Sequence, residues 1–511
     1  MTTLGMTTLG MTAWARTEPD RPAFFCGDDV RTYAEFDART TRLAHVLAAL
    51  GIGEGDRVAI MLPNSVEFFE AWAASNKLNA SVVLVNWHLK TEELAYILED
   101  SGSRVLVAHA QLEEHFTPAV KATGAAVLVV GEGGDRGYES AIADASDDAP
   151  PVELEALTAP VFYTSGTTGR PKGVIHGKPD PGAASRNMEG QLALWNWSAD
   201  DVYILSGPAY HAGPGGWAMA ALYVGAPTVV LEMFDAHEWL RLVETHRVTC
   251  SFVVPAHFIR ILEVPEAERA VRDLSSLRLL VHAGAPCPIP VKRRIIDALT
   301  PCEISEVYGA SEGGATRINA AQWLERPGSV GTPWPGVEVH ILDADGNAVP
   351  TGDDGVIYIR PPGEVRFHYH DDPAKTADAW RDAGFTVGDV GHVDADGYLY
   401  LTDRASDMVI RGGVNVYPRE IEEVLHTHPA VVDCAVFGVP DDRLGEQLHA
   451  VVEVRDVTTP DELREHCVAH LADFKVPATV ELVDELPRQP NGKVLKRVLR
   501  DQHWTGRESQ I

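Results

Sequence analysis

The sequence predicts an α/β protein with a large N-terminal domain of mixed and parallel sheets with helices, followed by a small α+β domain. Three observations support this prediction. The chain has 511 residues, which is too long for one ordinary core. Short apolar runs alternate with segments of helical periodicity from about residue 17 to residue 401. Roughly a hundred residues follow a polar stretch at 403–407, which is enough for a second domain.

The predicted parallel sheet rests on apolar strands that are separated by helices. A strand at 57–62 is followed by a helix at 65–76, and a strand at 80–85 is followed by a helix at 91–100. Strands interleaved with helices indicate βαβ units and a mostly parallel sheet. Further strands are predicted at 104–107, 126–130, 202–205, 227–231 and 277–281.

The pattern changes towards the end of the large domain. Between 331 and 360 the strands come closer together and turn sequences separate them, which predicts an antiparallel or small barrel-like part. A strand at 398–401 precedes the predicted boundary, which divides an N-terminal domain of residues 17–403 from a C-terminal domain of residues 404–511. In the small domain we predict helices at 419–426 and 460–471 and strands at 431–436 and 448–454.

Composition and charge argue against several classes of partner, metal site and cellular location. The formal net charge of -31 argues against nucleic acid, because an acidic surface repels phosphates. Six cysteines without a C-x-x-C pair argue against a disulfide framework or a zinc site and favour a reducing, cytoplasmic location. No run approaches the about 18 apolar residues that a membrane span needs. The repeated pentapeptide at 1–11 has no feature of a secretory signal, so we expect a disordered tail over 1–16 or an uncertain translation start.

The most informative segment is the glycine-rich stretch at 163–173, which follows an apolar run at 159–162. Its residues are Tyr-Thr-Ser-Gly-Thr-Thr-Gly-Arg-Pro-Lys-Gly. Backbone N–H groups that no Cβ shields suit a polyphosphate, and the lysine adds a positive charge. The spacing is not that of a Walker loop. A flexible linker is the alternative, but the preceding strand and the Pro-Lys-Gly exit argue against it.

Two further segments contain residues that suit nucleotide chemistry. In 306–312 an aromatic ring beside a glycine can stack on a base, and Glu312 can bind a hard cation. A strand end followed by a polar turn explains the same residues equally well. In 385–391 the flanking glycines place Asp389 at a turn, where its carboxylate can accept hydrogen bonds from two ribose hydroxyls. The alternative is that this aspartate only closes the turn.

Histidine and basic residues mark two other segments. His211, in 208–214, either lines a pocket or is a structural histidine with its hydrogen bonds satisfied. Lys493 lies on an Asn-Gly-Lys turn within 487–500, where a mobile loop can deliver it to an anion. On spacing alone a solvated basic surface is the favoured interpretation of this group, which also contains Lys496, Arg497 and Arg500.

In this order, the segments resemble the adenylate-forming superfamily, which contains acyl- and aryl-CoA ligases, nonribosomal adenylation domains and beetle luciferases. The resemblance runs from 31–36 to Arg500. The glycine-rich segment is a specific signature of the superfamily, and Asn-Gly-Lys-Val at 491–494 is its expected partner. The run at 407–418 is similar to the CoA-ligase branch. No carrier-protein domain follows it, which weakens the nonribosomal hypothesis.

The resemblance implies an ATP-dependent carboxylic acid–CoA ligase that forms acyl-CoA, AMP and pyrophosphate through an acyl-adenylate. A substrate carboxylate would attack the α-phosphorus of ATP, and the CoA thiolate would then attack the acyl carbon. ATP, Mg²⁺ and coenzyme A are the implied cofactors. A mobile C-terminal domain would pivot at Ser406 between the two steps.

The resemblance also implies a role for each matching residue. Lys493 would bridge the carboxylate and the α-phosphate during adenylation, and Glu312 would hold the magnesium ion. The β- and γ-phosphates would be bound by Thr164, Ser165, Gly166, Thr167, Thr168, Gly169 and Lys172. Adenine would be enclosed by Gly284, Ala285, Pro286 and Tyr308, and the α-phosphate would be contacted by Ser311. The ribose would be bound by Asp389 and Arg404. The pantetheine would pass Gly412 and Gly413.

Three residues depart from the superfamily pattern. Ser406 stands where an aspartate or lysine is usual, and Ser311 and Val387 stand where many relatives have threonine. These changes leave open a ligase impaired in adenylation that mainly converts a supplied acyl-adenylate to the thioester. The intact glycine-rich segment and Lys493 argue against that alternative.

A bulky or long apolar acid is the hypothesis for the substrate, because small residues suggest a roomy pocket. Tight turns demand small residues as well, so this alternative stays open. The expected pocket residues are His211, Gly215, Trp217, Ala310 and Gly313. The expected partners are this acid, ATP and CoA, without nucleic acid or a membrane span, and a homodimer is compatible with the sequence. Hypotheses of another class are an ATP phosphotransferase, a luciferase-like monooxygenase and a non-catalytic adenylate-binding protein.

Overall fold

The structure is a computed structural model of the chain, and it describes the residues 10–132, 134, 137–148, 158–164, 171–177, 189–363, 366–404, 407–412, 414–441, 443–490 and 492–504. The strands are β1 Pro22–Cys26, β2 Asp29–Thr32, β3 Arg57–Met61, β4 Ser81–Leu84, β5 Val105–His109, β6 Ala126–Val130, β7 Val161–Thr164, β8 Lys172–His176, β9 Tyr203–Leu205, β10 Thr228–Val230, β11 Cys250–Val253, β12 Leu279–His282, β13 Glu303–Ala310 and β14 Gly313–Ile318. They continue with β15 Ser329–Pro333, β16 Glu338–Leu342, β17 Gly355–Arg360, β18 Phe367–Tyr369, β19 Trp380–Arg381, β20 Gly384–Phe385, β21 Asp389–Val393, β22 Leu399–Arg404, β23 Val409–Arg411, β24 Val414–Val416, β25 Val431–Asp441, β26 Gly445–Val454 and β27 Thr479–Val483.

The α-helices are α1 Gly10–Thr17, α2 Tyr33–Ala49, α3 Val66–Asn76, α4 Thr91–Ser101, α5 Glu113–Thr123, α6 Tyr138–Ala143, α7 Ala212–Val224, α8 Ala236–His246, α9 Pro255–Glu263, α10 Glu266–Arg269, α11 Ile289–Ala298, α12 Ala320–Glu325, α13 Pro373–Ala379, α14 Pro418–Leu425, α15 Pro460–His470 and α16 Lys496–Asp501. Short 3₁₀ turns lie at Ala110–Leu112 and Asp473–Lys475. Within the described ranges, no helix is both long enough and apolar enough to cross a membrane.

The chain divides into two compact units. Unit 1 contains residues 1–252, 269–280 and 363–377, and unit 2 contains residues 253–268, 281–362 and 378–511. The predicted boundary between residues 403 and 404 does not coincide with this division and stays a prediction.

Unit 1 contains the predicted parallel strands. One sheet has the order β18-β8-β7-β4-β3-β5-β6. The strands β7, β4, β3, β5 and β6 are parallel to one another, β8 is antiparallel to β7, and β18 is antiparallel to β8. A second group pairs β11, β9, β10 and β1 in parallel and ends in the antiparallel β2. Short runs rich in valine and isoleucine, such as β3, become buried between helices, as such a sheet requires.

Unit 2 contains the antiparallel part and the small C-terminal α+β fold. Antiparallel pairing joins β13 to β14, β14 to β15, β15 to β22, β22 to β21 and β21 to β17. The long hairpin β25–β26 forms the centre of the C-terminal sheet, with β27 parallel to β26. Buried side chains of α14 and α15, among them Ile421 and Leu463, pack on this sheet. The predicted α/β class, with a large sheet-rich N-terminal part and a smaller C-terminal part, is confirmed.

The N-terminal helix corrects one prediction. We expected a disordered tail over residues 1–16, but residues from Gly10 onwards form α1 and Met11 is buried. The indole Nε1 of Trp14 donates a hydrogen bond to the Tyr223 carbonyl oxygen at 3.3 Å, and its ring lies directly against Gly225. Apolar packing on α7 therefore orders residues 10–16, whereas residues 1–9 lie outside the described residues.

Candidate active site

The hairpin β13–β14 carries the predicted nucleotide-contacting segment of unit 2. Ala310 pairs with Gly313, so Ser311 and Glu312 form a two-residue turn at the tip. Gly309 is required beside this turn, because a Cβ there would lie only 2.7 Å from the Gly314 Cα. The segment is therefore a strand end followed by a polar turn, and this turn carries the two predicted site residues Ser311 and Glu312.

Tyr308, Asp389 and Arg404 meet although they lie on three strands. The Tyr308 hydroxyl donates a hydrogen bond to Asp389 Oδ2 at 2.7 Å. Arg404 Nε donates to Asp389 Oδ1 at 3.2 Å, and the two residues are cross-strand partners in β21 and β22. Asp389 therefore does more than close a turn: it accepts from a tyrosine and an arginine and has lone pairs left for a ligand.

Burial and the negative charge of Asp389 both raise the pKa of the Tyr308 hydroxyl above its ordinary value. The hydroxyl therefore stays protonated and remains a donor to Asp389 at every physiological pH. This hydrogen bond fixes the Tyr308 ring, which is itself buried. A fixed ring offers a flat face for stacking without loss of side-chain entropy on binding.

Lys493 lies within electrostatic range of the same carboxylate. Burial lowers its pKa to about 8, and the positive charge of Arg404 adds to this effect, as does Lys496 more weakly. Asp407 and Asp389 act in the opposite direction and raise the pKa. Lys493 is consequently poised between its charged and neutral forms near physiological pH, which is common for lysines at functional sites.

We expect this pKa to limit adenylation at high pH. Since the folded pKa is lowered to about 8, the ammonium form predominates below that pH, is half lost at about pH 8 and disappears as the pH rises further. The kcat/KM of pyrophosphate release, which reports the free enzyme, should be level below about 8 and should fall above it. Thioester formation from a supplied acyl-adenylate serves as the control. The same alkaline fall in both half-reactions would contradict the assignment to Lys493.

The predicted adenine segment, 284–286, follows strand β12 directly. Gly284 has a φ of +86°, a left-handed conformation that glycine adopts without strain. A Cβ built at Gly284 would touch only Val254 Cγ1, at 3.8 Å. Val254 Cγ2 lies 3.3 Å from a Cβ built at Gly492, the residue before Lys493. Val254 therefore lies between the adenine segment and the lysine loop, while Ala285 and Pro286 remain partly or fully exposed.

The predicted CoA-contacting and hinge residues are described only in part. Gly412 has a φ of +60°, and its amide donates to the Leu444 carbonyl oxygen at 2.8 Å. Gly413 and Ser406 lie outside the described residues. Their predicted roles stay predictions.

In unit 1, Lys172 opens β8, directly opposite Thr164 at the end of β7. Its ammonium is buried, lies 5.8 Å from the Tyr369 ring centroid and has no hydrogen-bond acceptor among the described residues. A buried ammonium without an acceptor is costly, so this one fits an anionic ligand such as a polyphosphate. The other predicted phosphate contacts, Ser165, Gly166, Thr167, Thr168 and Gly169, and the Thr164 side chain lie outside the described residues.

Two tyrosines hold the ends of the glycine-rich segment, and the sequence analysis did not predict this. The Tyr163 hydroxyl donates to Asp100 Oδ2 at 2.6 Å. The Tyr96 hydroxyl lies 3.2 Å from the Pro171 carbonyl oxygen and 3.4 Å from Asp100 Oδ1, and its single hydrogen can be donated to either acceptor. One carboxylate on α4 thus lies within hydrogen-bonding distance of both tyrosine hydroxyls. The only signal in the sequence was that Tyr163 is the first residue of the segment.

His211 caps the start of α7 without a side-chain capping bond. Its Nε2 is buried and has no hydrogen-bond partner in the described part of the chain, so it is not a satisfied structural histidine. Burial lowers its pKa to about 4, which keeps the ring neutral at physiological pH. The neighbouring Tyr210 hydroxyl, which the sequence analysis missed, is also buried and unpartnered among the described residues. Its place beside His211 was the only signal.

Trp217 lies on the same helix in an aromatic cluster. Its ring centroid is 5.3 Å from that of Trp195, 5.5 Å from that of Trp197 and 5.8 Å from that of Phe252. Such spacings are typical of favourable tilted aromatic pairs. The surroundings of α7 are therefore strongly apolar apart from His211 and Tyr210.

The small residues do not support the predicted roomy pocket. A Cβ added at Gly213 would overlap the Phe252 ring, and one added at Gly215 would overlap the Ala209 carbonyl oxygen. In unit 2, a Cβ at Gly313 would lie 3.1 Å from the Phe385 ring, and a Cβ at Gly314 would lie 2.5 Å from the Trp334 ring. Close neighbours, and not empty space, explain these glycines. Gly216 alone of the set from α7 has no heavy atom within 4 Å of its Cβ position among the described residues.

Gly215 and Gly216 form a matched pair for a stability test. Gly216→Ala should stabilise the protein by up to about 1 kcal/mol, because alanine favours a helix and meets no atom in the described structure. Gly215→Ala should destabilise it by about 1–3 kcal/mol, since the new methyl would collide with backbone. Urea or thermal unfolding checks both variants. A shift of equal sign in the two would contradict the packing described for Gly215.

The metal prediction rests on Glu312 alone. Within the described ranges, no three His, Cys, Asp or Glu side chains are arranged to hold a metal ion. Mg²⁺ is commonly bound through one or two carboxylates together with substrate phosphates and water, so a single carboxylate at the tip of β13–β14 fits that mode.

Comparison with known proteins places this geometry in a family. The family described as AMP-binding enzyme matches residues 11–367, and the AMP-binding enzyme C-terminal domain matches residues 420–493. The chain belongs to the AMP-binding enzyme family. Its similarity to individual members extends over nearly the whole of both chains.

Three AMP-binding enzymes illustrate this similarity. The fatty acid–acyl-carrier-protein ligase ScoC of Streptomyces coeruleorubidus is 34% identical over 504 residues, 96% of this chain and 95% of ScoC. A feruloyl-CoA synthase from an Amycolatopsis species is 37% identical over 497 residues, 95% of this chain and 96% of the synthase. The ATP-bound crystal structure of MatB from Rhodopseudomonas palustris matches with a TM-score of 0.85 and 30% identity, covering 97% of this chain and 99% of MatB. The predicted superfamily and the predicted class, an AMP-forming acid–thiol ligase, are confirmed.

Proposed function

We propose that this AMP-binding enzyme is an ATP-dependent carboxylic acid–CoA ligase that acts on a bulky or long apolar acid. The reaction converts the acid, ATP and CoA to acyl-CoA, AMP and pyrophosphate through an acyl-adenylate. The observation that carries the proposal is that Tyr308 and Arg404 both donate hydrogen bonds to the Asp389 carboxylate. This carboxylate lies within electrostatic range of Lys493, whose pKa is about 8.

The proposal assigns nucleotide contacts in each unit separately. In unit 2, Tyr308 and 284–286 enclose the adenine, Asp389 and Arg404 bind the ribose hydroxyls, and Ser311 contacts the α-phosphate. In unit 1, Lys172 binds the terminal phosphates together with Thr164, Ser165, Gly166, Thr167, Thr168 and Gly169. The buried, unpartnered ammonium of Lys172 among the described residues supports this assignment.

Glu312 holds Mg²⁺ in this proposal. The ion would neutralise charge on the phosphates, as it does in many phosphate-transferring sites. Glu312 projects from a two-residue turn, next to Ser311 and the proposed α-phosphate contact. Glu312 would thus contribute one carboxylate, and the substrate phosphates and water would supply the other ligands.

In the first half-reaction a carboxylate oxygen forms a bond to the α-phosphorus, and the bond from that phosphorus to the pyrophosphate oxygen breaks. Negative charge on the carboxylate and the α-phosphate oxygens repels the attack. The Lys493 ammonium offsets this repulsion and stabilises the charge in the transition state. Because Lys493 is already partly buried, little water needs to be displaced when it acts.

In the second half-reaction the CoA thiolate attacks the acyl carbon and AMP leaves. We propose that the C-terminal domain, residues 404–511, pivots at Ser406 and that Gly412 and Gly413 line the pantetheine path. Glycines suit such a path because a side chain would obstruct a thin substituent. The left-handed Gly412 on a hairpin supports this part of the proposal.

The proposed acid is bulky or long and apolar because of the residues around α7. Trp195, Trp197, Trp217 and Phe252 form an aromatic cluster there. Relatives that are 34% and 37% identical are named for a fatty acid and for feruloyl-CoA, whose acyl group is aromatic. His211 and Tyr210 add two buried polar groups that suit the carboxylate or a polar substituent of the acid.

A panel of acids tests the proposal. We expect CoA-dependent AMP release, with pyrophosphate measured separately, to be fastest with long-chain or aromatic acids. Highest kcat/KM with C2–C4 acids would contradict the substrate class, and ADP as product would favour a phosphotransferase. Light or O₂ consumption would favour a luciferase-like monooxygenase. A second thiol, a holo acyl carrier protein, is included because one relative is named for that acceptor.

The same panel tests the alternative of a ligase impaired in adenylation. In that case pyrophosphate release is absent with every acid, while supplied acyl-adenylates are converted to thioesters. Ser311, Val387 and Ser406 motivate this alternative. Lys493 and the buried ammonium of Lys172 favour a competent first step.

A further inference from the structure

The loop that carries Lys493 is a short, internally bonded hairpin. Arg488 and Val494 form an antiparallel bridge, and the Gln489 amide donates to the Lys493 carbonyl oxygen at 2.7 Å. The Gly492 amide donates back to the Gln489 carbonyl oxygen at 2.8 Å. These bonds fix the backbone of the described residues on both sides of the turn, 488–490 and 492–494, and the position of the hairpin depends on what holds its two ends.

Arg488 holds the first end. Its guanidinium donates to Asp433 Oδ2 at 2.7 Å and to Glu453 Oε2 at 2.9 Å. The two acceptors are cross-strand neighbours on β25 and β26, and the Arg488 side chain is only 12% exposed. Arg488 also donates to the Gly492 carbonyl oxygen at 3.3 Å, so it contacts the hairpin itself. A forked guanidinium that bonds two carboxylates gives a fixed orientation.

Lys496 holds the second end, three residues after Lys493. Its ammonium lies 2.6 Å from Glu422 Oε1, and its side chain is 27% exposed. Glu422 Oε1 also accepts the Val436 amide at 2.7 Å, which fixes the carboxylate on α14 against β25. The solvated-surface interpretation of the basic group is therefore wrong for Lys496, although it holds for Arg497, which is 62% exposed.

We infer that Arg488 and Lys496 are positioning residues for Lys493: their ion pairs hold both ends of its hairpin against the C-terminal sheet during adenylation. This inference rests on the proposed function, in which Lys493 acts in that half-reaction. A charged group aids catalysis most when it is oriented before the reaction begins. A displacement of about 1 Å costs up to about 10²-fold in rate.

Lys496 also acts on Lys493 through its charge. The largest charge effects on the Lys493 ammonium come from Arg404 and Lys496, which lower its pKa, and from Asp407 and Asp389, which raise it. Removing the Lys496 charge therefore raises the pKa of Lys493, and the alkaline fall in adenylation moves to higher pH. Arg488 is not among these largest influences, so its loss should act mainly on position and should shift the pH profile less than the loss of Lys496.

The test compares Lys496→Met with Lys496→Arg in the full-length protein, with Arg497→Met as the matched control. Pyrophosphate release and thioester formation from a supplied acyl-adenylate are measured separately across the alkaline pH range. For Lys496→Met we expect the rate of adenylation to fall about 10- to 100-fold. We also expect the alkaline limb of its pH profile, the part in which the rate declines with rising pH, to move to higher pH. Thioester formation should be retained, which shows that the variant is folded. Lys496→Arg should keep most of the rate and the original limb.

Arg488→Met adds a second arm. It should lower adenylation and move the alkaline limb less than Lys496→Met does. Equal adenylation rates and identical limbs in Lys496→Met and Arg497→Met would overturn the inference. So would an equal loss of both half-reactions, which indicates a merely structural role. Failure of the proposed function looks different, because the unmodified protein then releases no pyrophosphate with any acid.

Discussion

Replacing Lys493 with alanine is expected to lower the rate of adenylation by ~10²-fold or more, the usual scale for one preorganised charge-stabilising donor. The reason lies in where the ammonium sits. It is partly buried, it belongs to a hairpin held at both ends, and it senses the charges of Asp389 and Arg404. An ammonium in such surroundings is worth more than one in water, because little solvent screens it.

Thioester formation from a supplied acyl-adenylate should survive the Lys493→Ala change. The two half-reactions are measured as pyrophosphate release and as acyl-CoA formation. Lys493→Arg is the conservative comparison: it keeps the charge at all pH values but changes the shape of the donor. If Lys493→Ala reduced both half-reactions equally, the role assigned to Lys493 would be wrong.

Much of the fold was predictable because local composition determined it. The runs at 57–62, 80–85, 104–107 and 126–130 are short, apolar and separated by helices, and they became β3, β4, β5 and β6 of one parallel group. The turn sequences after residue 331 likewise separated antiparallel strands. In these elements the burial of each side chain follows from the pattern of its neighbours in sequence.

Elements that depend on distant residues were not predictable. Helix α1 is ordered because Trp14 packs on Gly225 and bonds the Tyr223 carbonyl, and nothing near Trp14 in the sequence identifies either partner. Lys496 looks like its neighbour Arg497 in sequence, but only Lys496 reaches a fixed carboxylate, that of Glu422. The spacing of residues along one helix cannot show which helix face lies against a partly buried carboxylate such as that of Glu422.

The candidate site also contains residues that the sequence predicted and residues that it did not predict. Tyr308, Asp389, Arg404 and Lys493 were identified from motifs, and the structure brings them together. The glycines of the expected acyl pocket were misjudged, because a glycine signals close packing as readily as empty space. Gly215 and Gly216 are adjacent and identical in sequence terms, yet only Gly215 abuts a carbonyl oxygen.

Replacing Asp389 with alanine is expected to lower the kcat/KM for ATP by about 10²-fold. If Asp389 binds the ribose as proposed, the ribose hydroxyls would lose the two hydrogen bonds that the carboxylate accepts, and bonds to a charged group are worth about 1.5–3 kcal/mol each. The change also leaves the Tyr308 hydroxyl and the Arg404 guanidinium without the acceptor that orients them. Most of the loss should appear as a higher KM for ATP, because the ribose bonds are present in the ground state and the transition state alike.

Tyr308→Phe is the matched control for Asp389→Ala. It removes the 2.7 Å hydrogen bond to Asp389 but keeps the aromatic ring and the carboxylate, so its effect on the KM for ATP should be smaller. An unchanged KM for ATP in Asp389→Ala, or an equal rise in Tyr308→Phe, would contradict the ribose assignment.

The pH profile adds a test that binding alone does not provide. Asp389 raises the pKa of Lys493, so its removal lowers that pKa further and moves the alkaline limb of adenylation to lower pH. Lys496→Met moves the same limb to higher pH, because it removes a positive charge. Opposite shifts in these two variants are expected only if one titrating group, Lys493, controls the limb and both charges act on it. Limbs that moved in the same direction would show that another group titrates there.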